Sequence, residues 1–167
     1  MLRPHTVNDD GDKVRRLLVV EDNSADVFLI KRALQESDIS AEVMVCSDGE
    51  AALQLLDSPE MSTPPDAIII DLSLPRIEGL DVLRKILHRP NYVGTPIMVF
   101  TSSPSPADKS RVELLAGARY IRKPSGIDNF LREVANNVKC MFEQSAEKSA
   151  DSNTAIASAT QSSAALE

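Results

Sequence analysis

At 167 residues the chain suits one domain with a sizeable core, with room for a tail. A formal net charge of −7 opposes binding to a nucleic-acid backbone, which needs clustered Lys and Arg. The two histidines, His5 and His88, leave little for a histidine metal site or a Ser-His-Asp triad, and no apolar stretch approaches the roughly 20 residues of a membrane span. Cys46 and Cys140 lack metal-ligand spacing and are expected as buried free thiols, which favours a cytoplasmic location.

In chain order, residues 1–12 carry no apolar signal-peptide core and read as a flexible leader to a domain over 13–143. The apolar run 17–20 is the first expected strand, and it ends in Glu21-Asp22. Ser24 or Asp26 is a candidate cap for a helix to about Ser37, with Ile30, Ala33 and Leu34 on its inner face. Residues 42–46 read as the second strand, and Asp48-Gly49 as a turn opening a short helix to about Asp57. The run 67–70 is the third strand; all four of its residues are apolar, the pattern of a strand buried on both faces, and Asp71 terminates it. A helix is expected between Gly79 and about His88, a strand over 97–100, a helix over about 106–116, a strand over 119–122, and a last helix over about 127–143. That helix presents Ile127, Phe130, Leu131, Val134 and Val138 at helical spacing. From Gln144 to Glu167, 13 of 24 residues are Ser or Ala, so 144–167 is expected as a partly helical or disordered tail without a core of its own.

Five strands alternating with five helices predict an α/β fold, a doubly wound parallel sheet. Open sheets of this kind place their chemistry in the crevice at the C-terminal ends of the strands. Here those ends carry Glu21-Asp22, Asp71, Thr101-Ser102-Ser103 and Arg122-Lys123-Pro124. Carboxylates crowded together repel, and a hard divalent cation relieves them: Mg²⁺ accepts one or two carboxylates plus waters and phosphate oxygens, and Mn²⁺ serves similarly. Lys123 adds a compact positive charge and Thr101 a hydroxyl, so the set is suited to a phosphoryl group carried on an aspartate. No Gly-rich phosphate loop is present, which argues against a nucleotide donor. Each piece has a plainer use: a strand-end Asp commonly caps a helix, and Lys-Pro commonly marks a turn. The combination points to chemistry.

The motifs VVEDN (with Glu21 and Asp22), IIIDLSLP (with Asp71 and Pro75), Gly79, FTSS (with Thr101) and YIRKP (with Tyr120, Lys123 and Pro124) resemble the receiver domain of two-component response regulators over about 16–142. The resemblance implies a flavodoxin-like strand order, 2-1-3-4-5. It implies that Asp71 is the phosphoacceptor, that Asp22 and Asp71 ligate Mg²⁺ with the Ser73 carbonyl, and that Glu21 acts on the metal through water. Thr101 and Lys123 would each bond a phosphoryl oxygen, Tyr120 would be the aromatic switch that moves with Thr101, and Ser73 and Ser103 would tune access of hydrolytic water. Phe100, Ser102 and Ser125 depart from the usual pattern; the bulk of Phe100 is expected to alter how Tyr120 packs. DNxAD, DLSLP and the T-S-S stretch resemble the stand-alone regulators paired with bacterial phytochromes.

The expected function is therefore phosphoryl acceptance from a sensor histidine kinase, possessed by a signalling switch rather than an enzyme with turnover. Output would pass through a partner contact or a homodimer at the surface of the fourth helix, fifth strand and fifth helix, with neither nucleic acid nor membrane as partner. Phe130, Val134 and Met141 suit either self-association or the domain's own core. The rival class is a receiver-fold scaffold that works without phosphorylation. An aspartate-dependent phosphatase lacks the added substrate-cap domain it would need.

Overall fold

Strands buried on both faces need runs of apolar side chains, and residues 17–20, 67–70 and 97–100 supply them. The computed structural model describes residues 14–163. The leader 1–12 and residues 164–167 lie outside the described residues. In β1 (Arg15–Val20) the residues from Leu17 onward are fully buried, as is nearly all of β3 (Ala67–Ile70). Around these strands run α1 (Ser24–Glu36), β2 (Ala41–Cys46), α2 (Gly49–Leu56), α3 (Gly79–Leu87), β4 (Ile97–Thr101), α4 (Pro106–Leu114), β5 (Arg119–Arg122) and α5 (Ile127–Ser163). Short 3-10 turns at Pro59–Met61 and Pro90–Tyr92, each opened by a proline, were not foreseen from sequence.

The five strands form one parallel sheet in the order β2-β1-β3-β4-β5, the flavodoxin-like order expected. Register places Val20 beside Ile70, and Thr101 beside Arg122. Glu21, Asp71, Thr101 and Lys123 therefore leave the sheet at one edge. Backbone bonds level that edge: Asp71 N donates to Val20 O at 3.0 Å and Lys123 N to Thr101 O at 2.8 Å.

Alternation along the strands sorts the core into two layers. Leu18, Val20, Ile68, Ile70 and Val99 face α2 and α3 through Ala52, Leu56, Leu83 and Ile86. Leu17, Val19, Ile69, Met98 and Phe100 face α1 and α5 through Ile30, Ala33, Phe130, Val134 and Val138. Phe100 meets Phe130 edge to face with ring centres 5.0 Å apart. Tyr120 belongs to the opposite layer, so the sheet separates it from Phe100, and the bulk of Phe100 bears on α5 and not directly on the packing of Tyr120. Phe130, Val134 and Met141, the residues considered for self-association, are buried in the domain's own core.

Several element details differ from expectation. The α1 cap is Asn23: its backbone is extended, and its Oδ1 accepts from Ala25 N at 2.9 Å and Asp26 N at 3.4 Å. Ile127 is 54% exposed because it opens α5 and lies a turn short of Leu131, past the packed layer. Cys46 is buried as expected, whereas Cys140 is only half-buried. Helix α5 continues well beyond Glu143 to Ser163. The last proline and glycine of the chain are Pro124 and Gly126, so nothing after them interrupts the helix, and alanine favours it. The extension is tied down at its start, where Lys148 Nζ donates to Val93 O and Ser145 Oγ to Asp66 Oδ1 at 3.4 Å. Among the described residues no helix is long and apolar enough to cross a membrane.

Candidate phosphoryl and metal site

Three carboxylates from distant parts of the chain converge on a single ammonium. Lys123 Nζ donates to Glu21 Oε2, Asp26 Oδ2 and Asp71 Oδ2, each at 2.7 Å. β1 delivers Glu21, the first turn of α1 delivers Asp26, β3 delivers Asp71 and β5 delivers Lys123. The Lys123 side chain is 7% exposed, and those of Glu21, Asp71 and Asp26 are 3%, 7% and 18% exposed. A lysine ammonium has three N–H donors, so this one is fully subscribed.

The other oxygens are also held. Asp71 Oδ1 accepts from Ser73 N at 3.0 Å, and Glu21 Oε1 accepts from Asn23 N at 3.0 Å. Burial pushes the Asp71 carboxyl up, but bonds from Lys123, the Ser73 amide and the Thr101 hydroxyl outweigh it and hold the group below the usual aspartate range. At Glu21 burial wins over Lys123 and the Asn23 amide, the Asp71 charge adds to it, and the carboxyl is pushed up to about 7. Burial acts to lower Lys123, yet its bonds to Asp26, Asp71 and Glu21 prevail and raise it above the usual lysine range. Lys123 Nζ also lies 5.9 Å from the centre of the Phe100 ring. The bulky residue before Thr101 thus underlies the lysine on one side.

The charge balance tests the fit of a cation. Three acids share one ammonium, Asp22 stands exposed at the rim, and Glu21 relieves the excess by holding its proton near neutrality. Among the described residues no three acidic, histidine or cysteine side chains are arranged as a ready cage, since Lys123 occupies the middle of the acids. A hard cation that takes one or two carboxylates, a carbonyl and waters needs no such cage. The donor set is all oxygen and its charge is under-compensated, so it fits a divalent ion of that type.

A second network begins at Thr101, which is fully buried at the end of β4. Thr101 Oγ1 accepts from Ser103 N at 3.2 Å, and Tyr120 Oη donates to Ser103 O at 2.8 Å. Ser103 Oγ donates to Asp108 Oδ2 at 2.7 Å in the first turn of α4. Ser103 therefore joins Thr101, Tyr120 and α4, while its hydroxyl is engaged by Asp108.

Of the residues expected from sequence, Glu21, Asp71, Ser73, Thr101 and Lys123 come together, Tyr120 and Ser103 form the adjoining pair, and Asp22 sits at the exposed rim. Asp26 was anticipated only as a helix cap. The available signal was its place in DNSAD, in the first turn of a helix that starts directly after the strand-ending Glu21-Asp22.

Residues 17–135 match the family model of the response regulator receiver domain. The chain belongs to the response regulator receiver family. It is 34% identical over 100 residues to response regulator Rcp1 of Synechocystis sp., a match covering 58% of this chain and 68% of that protein. The Mn²⁺-bound form of Rcp1 aligns with a TM-score of 0.68 at 30% identity, over 73% of this chain and 90% of that one. The phosphorylated cyanobacterial phytochrome response regulator RcpA gives a TM-score of 0.68 at 29% identity, over 74% and 91%. This receiver is a signalling switch of phosphorelay type rather than a catalytic enzyme, and it resembles phytochrome-associated regulators. A relative that holds Mn²⁺ is consistent with the divalent-metal fit of its acidic edge.

Proposed function

We propose that Asp71 accepts a phosphoryl group from the phosphohistidine of a sensor histidine kinase of the phytochrome type, assisted by Mg²⁺. The observation that carries this reading is the state of Asp71: 5% exposed at the end of β3, yet kept ionised by Lys123, Ser73 and Thr101. A buried carboxylate held charged is available as a nucleophile. One carboxylate oxygen attacks phosphorus in line, the new P–O bond forms as the P–N bond breaks, and the electron pair leaves on the imidazole nitrogen. Lys123 and the Thr101 hydroxyl are placed to donate to the transferred oxygens. Asp22, Asp71 and the Ser73 carbonyl would hold Mg²⁺, with Glu21 acting through water; when bound, the ion would supply charge neutralisation for the phosphoryl group, as would Mn²⁺.

Phosphorylation biases an equilibrium between two arrangements of the edge. The chain of bonds from Thr101 through Ser103 to Tyr120 supports a readout at the α4-β5-α5 surface, where a target protein or a second copy would bind. Ser73 and Ser103 border the path of hydrolytic water in this reading. Incubation with Mg²⁺ and acetyl phosphate should add one phosphoryl group to the wild-type chain by intact mass and none to Asp71→Asn. An unmodified wild type that also fails to receive phosphate from a cognate kinase would leave the scaffold reading in its place.

A further inference from the structure

We propose that Asp26 is a positioning residue that competes with the phosphoryl group for Lys123: in the resting protein it holds the ammonium by the N–H that later bonds a phosphoryl oxygen. This rests on the reading of Asp71 as phosphoacceptor. Lys123 has no donor left over, because Glu21, Asp26 and Asp71 each take one at 2.7 Å. To bond a phosphoryl oxygen it must release a carboxylate.

The three candidates differ in what release costs. Glu21 is nearly sealed at 3% side-chain exposure, and Asp71 at 7% is the attachment point itself. Asp26 is the most open at 18%, so water can replace the ammonium there at the smallest desolvation penalty. It also stands in the first turn of α1, where the helix dipole favours a negative group and lessens the need for a counter-ion. A plain helix-dipole role explains an acid at this position. It does not explain an ion pair closed across 97 residues to the lysine of the site.

Exchange at Asp26 has a consequence for the switch. On this proposal the phosphoryl group on Asp71 takes the Lys123 donor that Asp26 holds at rest, so the resting arrangement is favoured by one charge-assisted bond that the phosphorylated arrangement lacks. Neutralising Asp26 should shift the balance toward the anion-bound state without touching Asp71.

The test uses the full chain with beryllofluoride as the phosphoryl mimic at saturating Mg²⁺, comparing wild type, Asp26→Asn, Lys123→Ala and the double variant. Asp26→Asn should tighten beryllofluoride binding by about three- to tenfold, in the lower part of the range of coupling between contacting groups. In the Lys123→Ala background the same change should have no effect, whether read as Kd or, where binding is too weak, as the rate of labelling by acetyl phosphate. A gain that persists without Lys123 would be simple relief of charge repulsion and would overturn the competition. Mn²⁺ affinity without fluoride, read by electron paramagnetic resonance, separates a further role: a tenfold loss in Asp26→Asn with no tightening toward beryllofluoride would make Asp26 a metal ligand and overturn the proposal. Wild type that binds beryllofluoride while Asp26→Asn binds it equally well or more weakly removes the role of Asp26 alone. Wild type that binds none with Mg²⁺ present overturns the phosphoacceptor reading and this inference with it.

Discussion

Lys123 shows how much of this site is one residue's hydrogen-bond capacity. Its ammonium compensates two carboxylates that are almost wholly removed from water and a third at the margin. Deleting one partner of a buried ionic group leaves the other uncompensated, which costs more than the pair itself contributes. Lys123→Ala should therefore lower metal-free stability by about 3 kcal/mol in urea denaturation, with part of the loss recovered on adding Mg²⁺. A metal-free stability equal to wild type would contradict the geometry. The types of the site residues were legible in the sequence at Glu21, Asp71, Thr101 and Lys123, because the two acids and the hydroxyl each follow an apolar run and the lysine follows the last strand. Asp26 was not, since nothing local in α1 reports a partner on β5.

At the scale of elements, the junction between β3 and α3 decides where Asp71 sits. Gly79 N donates to Leu72 O at 3.0 Å, drawing the start of α3 against the end of β3. A Cβ at Gly79 would lie 1.9 Å from the Asp71 carbonyl oxygen and 2.7 Å from Leu72 Cα, so backbone must move to admit it. Gly79→Ala should cost about 1–3 kcal/mol and slow acetyl-phosphate labelling by displacing Asp71, while Gly126→Ala, at a position with open space but φ +83, tests backbone conformation alone. Equal labelling of Gly79→Ala and wild type would show that the close approach does not position the acid. Strands were easier to anticipate than helix ends. The four-residue apolar run of β3 marks itself, whereas choosing Asn23 over Ser24 or Asp26 as the α1 cap depends on which backbone turns extended. The length of α5 is hard to read from sequence because the Ser/Ala-rich composition after Glu143 resembles a tail, while the absence of breakers after Gly126 lets the helix run on.

For the molecule as a whole, the acidic edge links stability to pH and to metal. Glu21 is raised from the usual 4.5 to about 7, so the folded chain binds this proton more tightly than the unfolded chain. Its contribution is fully present below about 4.5 and is lost as pH rises through about 7. Asp71 runs the other way: its lowered value contributes above the usual 3.8 and is lost on acidification below that. Between about pH 5 and about pH 8 the Glu21 contribution falls while that of Asp71 stays constant. Metal-free protein should lose thermal stability across that interval, Glu21→Gln should flatten the loss, and saturating Mg²⁺ should restore stability most at the alkaline end. A metal-free melting temperature that rises over the interval, unaltered by Glu21→Gln, would count against the strained acid cluster.

The sequence by itself determined the class of fold and the members of the site that end strands. Period and burial are properties of short windows, and an apolar run that stops at a carboxylate needs nothing distant to be read. It also marked 67–70 as buried on both faces, and the structure sorts alternate residues of that run into the two core layers. Only the tertiary structure decided how charge is shared at the edge. That Lys123 spends its three donors on Glu21, Asp26 and Asp71, that Asp22 stays at the rim, and that Ser103 joins Thr101 to Tyr120 follow from register between strands far apart in the chain. Coulomb and hydrogen-bond energies depend on distances of a few ångströms, and those distances exist only once the sheet has formed.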